Sequence, residues 1–534
     1  MKHKLTILIA LVMLLSLIVG CTAKPTPEVT APPSGEQVAP ETAVTSPTEA
    51  VSDQSAEPKR DDINLALWGV HSTLDPFATS LTVDLELFLQ IYESFYYVDD
   101  YNQPHPRLAL SHTISDDGLV YTFNMREDAY FHNGDLVTAD DAVFSFEKAM
   151  ASGVLAPYVR VIEKVEKVDD STVKITLTQP YTPFLANSVQ VKIINKKAYT
   201  ETGDTFGAKI TGAGTGPYKL VSYDGKTKIV LEAFDKYYRG EAAIKNVNYI
   251  VMSDRNAGLI AFETGELDFF SVPTANWEEI NGSNKYSTIL NPTSHISYVL
   301  LNPSSGVLKN QDLRYAIQYA IDRDSINLLA YEGLAVPAYH MIHPEYIFGA
   351  SDSTFKFTYD PAKAKEYLAK AGYPDGVDIG EMQYGSATYY PKIAQTVQSQ
   401  LAAVGIKLTL VGGETSNLVQ GWRDGNFNIL LSGFNAVLDY DYYTRYSSPA
   451  VSTSFLKLQN TDYDADWVVE MYNKGAAELD PAIRKAIYEE LENYIAGTAS
   501  YIPIFYKTLP YAWDKDLNVK LDLNYYYIYD WSWK

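Results

Sequence analysis

A chain of 534 residues with a single cysteine and a net charge of −23 is long enough for two to four domains, at about 100–200 residues each, and must be held together without internal disulfides. The acidic balance argues against a nucleic-acid surface, whose phosphates require clustered cations, and against direct adhesion to anionic lipid headgroups. Tyrosine is abundant at 42 residues, which suits clefts that need an apolar face with a polar tip.

The N-terminus carries Lys2 and Lys4, an apolar run from Leu5 to Val19, and then Gly20-Cys21. A basic start, a short apolar stretch and a small residue before a cut describe a secretory signal, and the run falls short of the about 20 residues of a membrane span. Ile18-Val19-Gly20-Cys21 resembles the bacterial lipobox, which implies cleavage after residue 20 and a lipid on Cys21; the alternative is an uncleaved membrane anchor. Residues 21–60 follow without an aromatic residue and with prolines at 25, 27, 32, 33, 40, 47 and 58. That composition predicts a disordered tether.

The folded body is expected from about residue 61, with a first strand around Asn64–Trp68. Thr138-Ala-Asp-Asp141 ahead of Ala142, Val143, Phe146, Ala149 and Met150 predicts a Thr-capped helix with early acids. Val165–Val168 and the alternating run Thr172–Leu177 predict a hairpin across Asp169-Asp170-Ser171. Asp312 is expected to cap a helix through Leu313, Ala316, Ile317, Ala320 and Ile321. Asp360-Pro361 opens another helix that Gly372 closes. The mixture is α/β, with no internal repeat.

Taken in order, several segments resemble the extracellular solute-binding proteins of the peptide/nickel type, family 5. The longest runs Gly118-Leu-Val-Tyr-Thr-Phe-Asn-Met-Arg126, Phe131-His-Asn-Gly134 and Leu136 to Phe146. Leu74-Asp75-Pro76, Ile91-Tyr92-Glu93, Pro106–Ala109, Gly214–Tyr218, Gly265–Asp268, Asp312–Ala316, Ala320–Arg323, Tyr359–Pro361 and Ala371–Gly376 complete the series. The resemblance implies a two-lobed, periplasmic-binding-protein-like α/β fold (type II, cluster C) with an extra inserted domain. It implies one lobe from 61–100, 214–305 and 510–534, an insertion at 101–213 and a second lobe at 306–509, with crossings near Asn302 and Tyr506. It implies a monomer that hands a peptide-like solute to ABC permease subunits from outside the cytoplasm, on a Gram-positive outer face or the periplasmic side. Membrane contact would come through the lipid on Cys21, and no cofactor or catalytic residue is expected.

In peptide-binding relatives a Gly-Trp stretch of the second lobe lines the cleft and carries an aspartate for the peptide α-ammonium. The matching stretch here is Ser432-Gly433-Phe434-Asn435-Ala436-Val437-Leu438-Asp439-Tyr440-Asp441. Phe434 keeps an aromatic wall, but Val437 falls where the amine-pairing aspartate is expected. An oligosaccharide therefore stays open as the solute, and a lipid-anchored sensor as the role. The candidate ligand residues are Phe434, Asn435, Asp439, Tyr506, Tyr298, Asn302 and Trp68. Several have a plainer alternative: an Asx turn or helix cap for Asp439, a core position for Trp68, a buried strand tyrosine for Tyr506 and Tyr298. Gly212–Pro217 is glycine-rich but leads into a strand rather than a helix, so a structural turn is expected instead of a phosphate cradle. His340 and His343 are flanked by Pro337 and Pro344 and are expected in a loop, with no metal.

Overall fold

The computed structural model describes residues 60–79, 81–100, 103–343, 355–386, 389–414, 418, 421, 425–435, 464–523 and 525–534; Cys21 and the tether lie outside them, as do Val437, Asp439 and Asp441. The described residues fall within the unit Pro58–Lys534.

Strand β1 (Asp62–Trp68) and helix α1 (Thr82–Ile91) come first. A small four-stranded antiparallel sheet follows from β2 (Ala109–Ile114), β3 (Val120–Met125), β4 (Ile162–Lys167) and β5 (Thr172–Leu177), in the order β2-β3-β5-β4. Strands β4 and β5 are the hairpin that the alternation predicts. Helix α2 (Ala139–Ala151) covers this sheet, and its start is fixed by Asp141, which accepts from the Thr138 N–H (3.0 Å) and hydroxyl (2.8 Å).

The chain then returns to the main sheet through β6 (Tyr218–Tyr223), β7 (Lys228–Ala233), β8 (Asn246–Met252), helix α3 (Arg255–Glu263) and β9 (Phe269–Ser271). Strand β10 (Tyr286–Leu301) is 16 residues long. Beyond it come helices α4 (Gln311–Ala320), α5 (Arg323–Tyr331) and α6 (Pro361–Lys370), strand β11 (Val377–Gly385), helix α7 (Tyr390–Ala403), β12 (Ile406–Gly413), β13 (Ile429–Asn435) and finally β14 (Tyr501–Asp514). Helix α6 has Asp360 as its cap and Pro361 at its first position. Helix α4 differs from expectation: Asn310, not Asp312, accepts from the Leu313 N–H (3.3 Å), and Asp312 sits in the first turn paired with Lys370 (2.8 Å). Asn310 has the extended backbone a cap requires.

The main sheet runs β12-β11-β13-β10-β14-β9-β1-β8-β7-β6. Strand β1 is parallel to β8 and β9, and β11 is parallel to β12 and β13. The sheet thus contains two parallel α/β halves joined by the long antiparallel pair β10/β14. One apolar cluster, including Val299, Leu313, Ile317, Ile393, Ile406 and Ile504, belongs to the β11–β13 half. The largest cluster covers the β1 half and the small sheet, and it also takes in Tyr472, Tyr488 and Leu491 from the helices Ala465–Ala477 and Pro481–Gly497. Those helices therefore meet the insertion, where Thr182 donates through its N–H to Ala476 O (2.7 Å) and through its hydroxyl to Glu478 O (2.8 Å).

Candidate functional site between the two halves of the sheet

The register of the two long strands locates the junction. The β1 half ends at Ser271 of β9, which pairs with Tyr511 of β14, itself opposite Ile289 of β10. The β13 half ends at Asn435, opposite His295 of β10. Only Leu290–Ser294 and Lys507–Pro510 bridge these two levels, a span of about 13–17 Å at 3.3 Å per residue. The carboxyl ends of the parallel strands in both halves, at Trp68, Met252 and Ser271 and at Gly385, Gly413 and Asn435, converge on this gap. Crevices outside the carboxyl ends of parallel strands are where α/β sheets bind ligands.

The bridge is irregular where it matters. Between the pairs Pro292–Thr508 and Ile296–Tyr506, the three residues Thr293, Ser294 and His295 face the single residue Lys507. Such a bulge re-aims side chains and sharpens the local twist. Its polar groups are held by the chain itself: the Thr293 hydroxyl donates to Lys507 O (2.6 Å), the His295 N–H donates to Thr293 Oγ1 (3.2 Å), and the Tyr331 hydroxyl donates to Thr508 O (2.7 Å). His295 Nε2 lies 3.2 Å from the Tyr389 hydroxyl, and the Tyr389 and Tyr390 rings pack at 4.7 Å. Gly433 makes room for them, because a Cβ there would come within 2.6 Å of His295 Nε2 and 2.7 Å of the Tyr390 hydroxyl. Gly433→Ala is accordingly expected to cost about 1–3 kcal/mol through overpacking, measured by urea unfolding; no change in midpoint would show that the cluster shifts freely.

Opposite this aromatic wall, Arg255 at the start of α3 lies with its guanidinium 3.8 Å from the Trp68 ring centre and reaches the Ser271 carbonyl at 3.5 Å. Glu86 of α1 meets the Tyr526 hydroxyl. Burial pushes the Glu86 carboxyl up to about 8, against the opposing pull of Arg255; Tyr249, Tyr511 and Tyr526 are the other titratable groups around it. A carboxyl whose folded pKa is raised holds its proton where the unfolded chain has lost it, so its contribution to stability is greatest below about pH 4.5 and is lost as pH rises towards 8. The melting temperature of Glu86→Gln relative to the unsubstituted protein is thus expected to rise between pH 4.5 and 8; a constant difference would contradict this placement. On the bridge, burial and then the Arg255 charge hold the Lys507 ammonium below the ordinary lysine range.

The residues singled out from sequence fall in different places. Phe434 and Asn435 lie at the junction end of β13 by backbone register, opposite Ile296 and His295. Asp439 lies outside the described residues. Trp68 ends β1 at the junction edge, half-buried, its ring edge-on to Phe270 (5.7 Å) and beneath Arg255. Tyr506 adjoins the bridge, but its hydroxyl is shared by the carbonyls of His340 (2.6 Å) and Ile342 (3.2 Å), so it fastens a loop. Tyr298 is 1% exposed and packs against Tyr501 in the core. Asn302 lies elsewhere. It lies beyond the far end of β10, roughly 25 Å from Ser294 at strand spacing, and its amide group is spent on Phe427 O (2.8 Å), Gly425 O (3.3 Å) and the Ser304 N–H (3.0 Å). It thus lies away from Leu290–Ser294, the stretch of β10 that joins the two halves of the sheet. Arg255, His295, Tyr389, Tyr390 and Lys507 are the junction residues that the sequence reading missed. Lys507 had a signal, being the one charged residue in the run Tyr501–Trp513; so did the polar stretch Asn291–Ser297 inside an otherwise apolar strand.

Two motifs settle as scaffold. In the Gly212–Pro217 loop, Cβ atoms at Gly214 and Gly216 would lie 2.0 and 2.5 Å from the carbonyls of Ile91 and Gln90. His132 Nε2 donates to Gly216 O (2.9 Å), and burial lowers that ring to about 4, so it stays neutral. His343 packs on Tyr506 (4.7 Å).

The profile of the bacterial extracellular solute-binding proteins, family 5 (middle), matches residues 103–454. The chain belongs to that family. The glutathione-binding protein GsiB of Escherichia coli (strain K12) is 27% identical over 476 residues, covering 85% of this chain and 91% of GsiB. Among solved structures, the ABC transporter substrate-binding protein CtaP of Listeria monocytogenes superposes with a TM-score of 0.79 at 24% identity, over 89% of this chain and 100% of CtaP. The periplasmic binding protein DppA of Helicobacter pylori, in complex with the peptide STSA, superposes with a TM-score of 0.72 at 24% identity, over 89% and 98%. The chain therefore has the two-lobed fold of a family 5 solute-binding protein.

Proposed function

We propose that this solute-binding protein is the lipid-anchored receptor of an ABC importer and captures a short peptide between its lobes. The observation that carries the reading is the convergence of both sets of strand ends on a two-strand bridge lined by Lys507, His295, Tyr389 and Arg255. A ligand that touches both lobes at once stabilises the closed arrangement by its differential affinity for it. GsiB, described as binding glutathione, and DppA, solved with a peptide, favour a peptide over the oligosaccharide alternative. Micromolar capture needs about 8 kcal/mol net, within reach of a few buried hydrogen bonds and aromatic contact. Native mass spectrometry of the untagged protein as it leaves its cells tests this directly. Peptide masses are expected; a ladder of hexose increments would replace peptide by oligosaccharide.

In the same reading, cleavage after Gly20 frees Cys21 for acylation, and residues 21–60 tether the body beside its permease. One acyl chain anchors only marginally, so stable retention requires more than one. Cys21→Ala is expected to release the protein from the membrane fraction into the soluble or secreted fraction; undiminished membrane retention would contradict the anchor.

A further inference from the structure

Two cations at the lobe junction form no ion pair with a carboxylate among the described residues. Most lysines elsewhere with a close acid use it: Lys167 with Asp140 and Asp170, Lys174 with Glu166, Lys219 with Glu232, Lys370 with Asp312. Arg255 and Lys507 make no ion pair among the described residues, although the chain carries a net charge of −23. Arg255 is oriented rather than loose. Its guanidinium is laid on Trp68 (3.8 Å) and tied to the Ser271 carbonyl at the end of β9. That leaves the other edge of its planar fork free for a bidentate acceptor. Lys507 rises from the bridge opposite the Thr293–His295 bulge, four residues along β14 from Tyr511, the partner of Ser271. Its ammonium lies 5.7 Å from the Tyr389 ring centre. The acid that acts on Arg255 is Glu86, already engaged with Tyr526 and biased by burial towards its neutral form. Lys507 is half-buried, and a partly buried charge without a counter-ion is costly, whereas Arg255 stands exposed at the edge of the junction.

We infer that Arg255, from one lobe, and Lys507, from the bridge, together receive a carboxylate of the captured solute. The inference rests on the solute-binding reading and narrows it. The anchoring group of the ligand is an anion, so a free peptide C-terminus or an acidic side chain is recognised where an α-ammonium would be repelled. This accords with Val437 at the position where an amine-pairing aspartate is expected. Trp68 serves as the platform that keeps the guanidinium plane facing the cleft.

The test uses the full chain, stripped of solute by unfolding and refolding, against random tripeptide libraries read by mass spectrometry of the retained fraction. One library pair lacks Asp and Glu and is offered as free acids and as C-terminal amides; a second pair, also acid and amide, carries one Glu. Loss of the terminal carboxylate is expected to lower retention about 10–100-fold, the value of a charge-assisted hydrogen bond; retention of amides only when they carry Glu would assign the carboxylate to a side chain and equally support the pair. Arg255→Gln and Lys507→Gln are each expected to abolish the preference, and Lys507→Arg to keep it, with unfolding midpoints confirming that all variants fold. Equal retention of acids and amides that lack Glu would overturn the inference while leaving peptide capture intact. Retention of neither library, alongside binding of maltotriose, would overturn both.

Discussion

Arg314→Met is expected to destabilise the protein by about 3–5 kcal/mol, with little change in solute preference. Arg314 is fully buried in α4; its Nε donates to Thr498 O (2.8 Å) and one terminal nitrogen to Leu308 O (2.8 Å) and Lys309 O (3.2 Å). Thr498 is the C-cap of the helix Pro481–Gly497, whose final carbonyls have no partner within the helix. Methionine fills a similar volume and leaves those carbonyls unpaired, at about 1–3 kcal/mol each when buried. Lysine restores charge without the fork that reaches three acceptors, so Arg314→Lys should recover only part of the loss. Urea unfolding reads both variants through a shift in midpoint at constant slope; a Met variant within about 0.5 kcal/mol of the parent would show that the guanidinium merely replaces water.

The second large effect is expected at Glu93. Its Oε1 accepts from the hydroxyls of Tyr237 (2.7 Å) and Tyr238 (3.0 Å), with the Arg107 guanidinium 3.9 Å away. Arg107 in turn lies over Tyr97 (4.3 Å) and Tyr527 (5.8 Å). One carboxylate therefore links the end of α1, the edge of the insertion and the C-terminal segment. Glu93→Ala removes the acceptor for two buried phenols and the counter-charge of a buried arginine. A loss of about 3–5 kcal/mol is expected, as for other broken buried charge pairs. Glu93→Gln keeps an acceptor for the phenols, and burial already pushes the Glu93 carboxyl up towards its neutral form, so it should cost clearly less. Equal losses in the two variants would mean that charge, not hydrogen bonding, holds the junction.

Both residues sit in segments, Asp312–Ala316 and Ile91-Tyr92-Glu93, that gave the chain its family likeness. Those segments proved to be supports, which explains what was legible. Local signals need only neighbours in sequence: the β4/β5 hairpin follows from alternation, α2 from Thr138 and Asp141, and α6 from Asp360-Pro361. The junction was harder to read because it depends on register between distant strands. β1 inserts between β8 and β9, and β10 pairs with β14 some 200 residues later. Within the 16-residue strand the polar stretch Asn291–Ser297 is the one local mark of the junction. The expected crossing at Asn302 and the irregular pairing at Thr293–His295 lie at different levels of the same strand. Arg255 has no local sequence signal, and only the fold brings Trp68 and the Ser271 carbonyl at the end of β9 beside it.

The central claim, capture of a solute at the two-strand bridge, is tested most directly by amide hydrogen exchange on the protein as purified with its solute and after the solute is stripped. Slower exchange in the bound form is expected at Leu290–Ile296 and Lys507–Tyr511 and around Arg255, with no change at the Asn302 and Gly425–Asn428 turn. Protection confined to that distal turn, or spread evenly over both lobes without a maximum at the bridge, would contradict it.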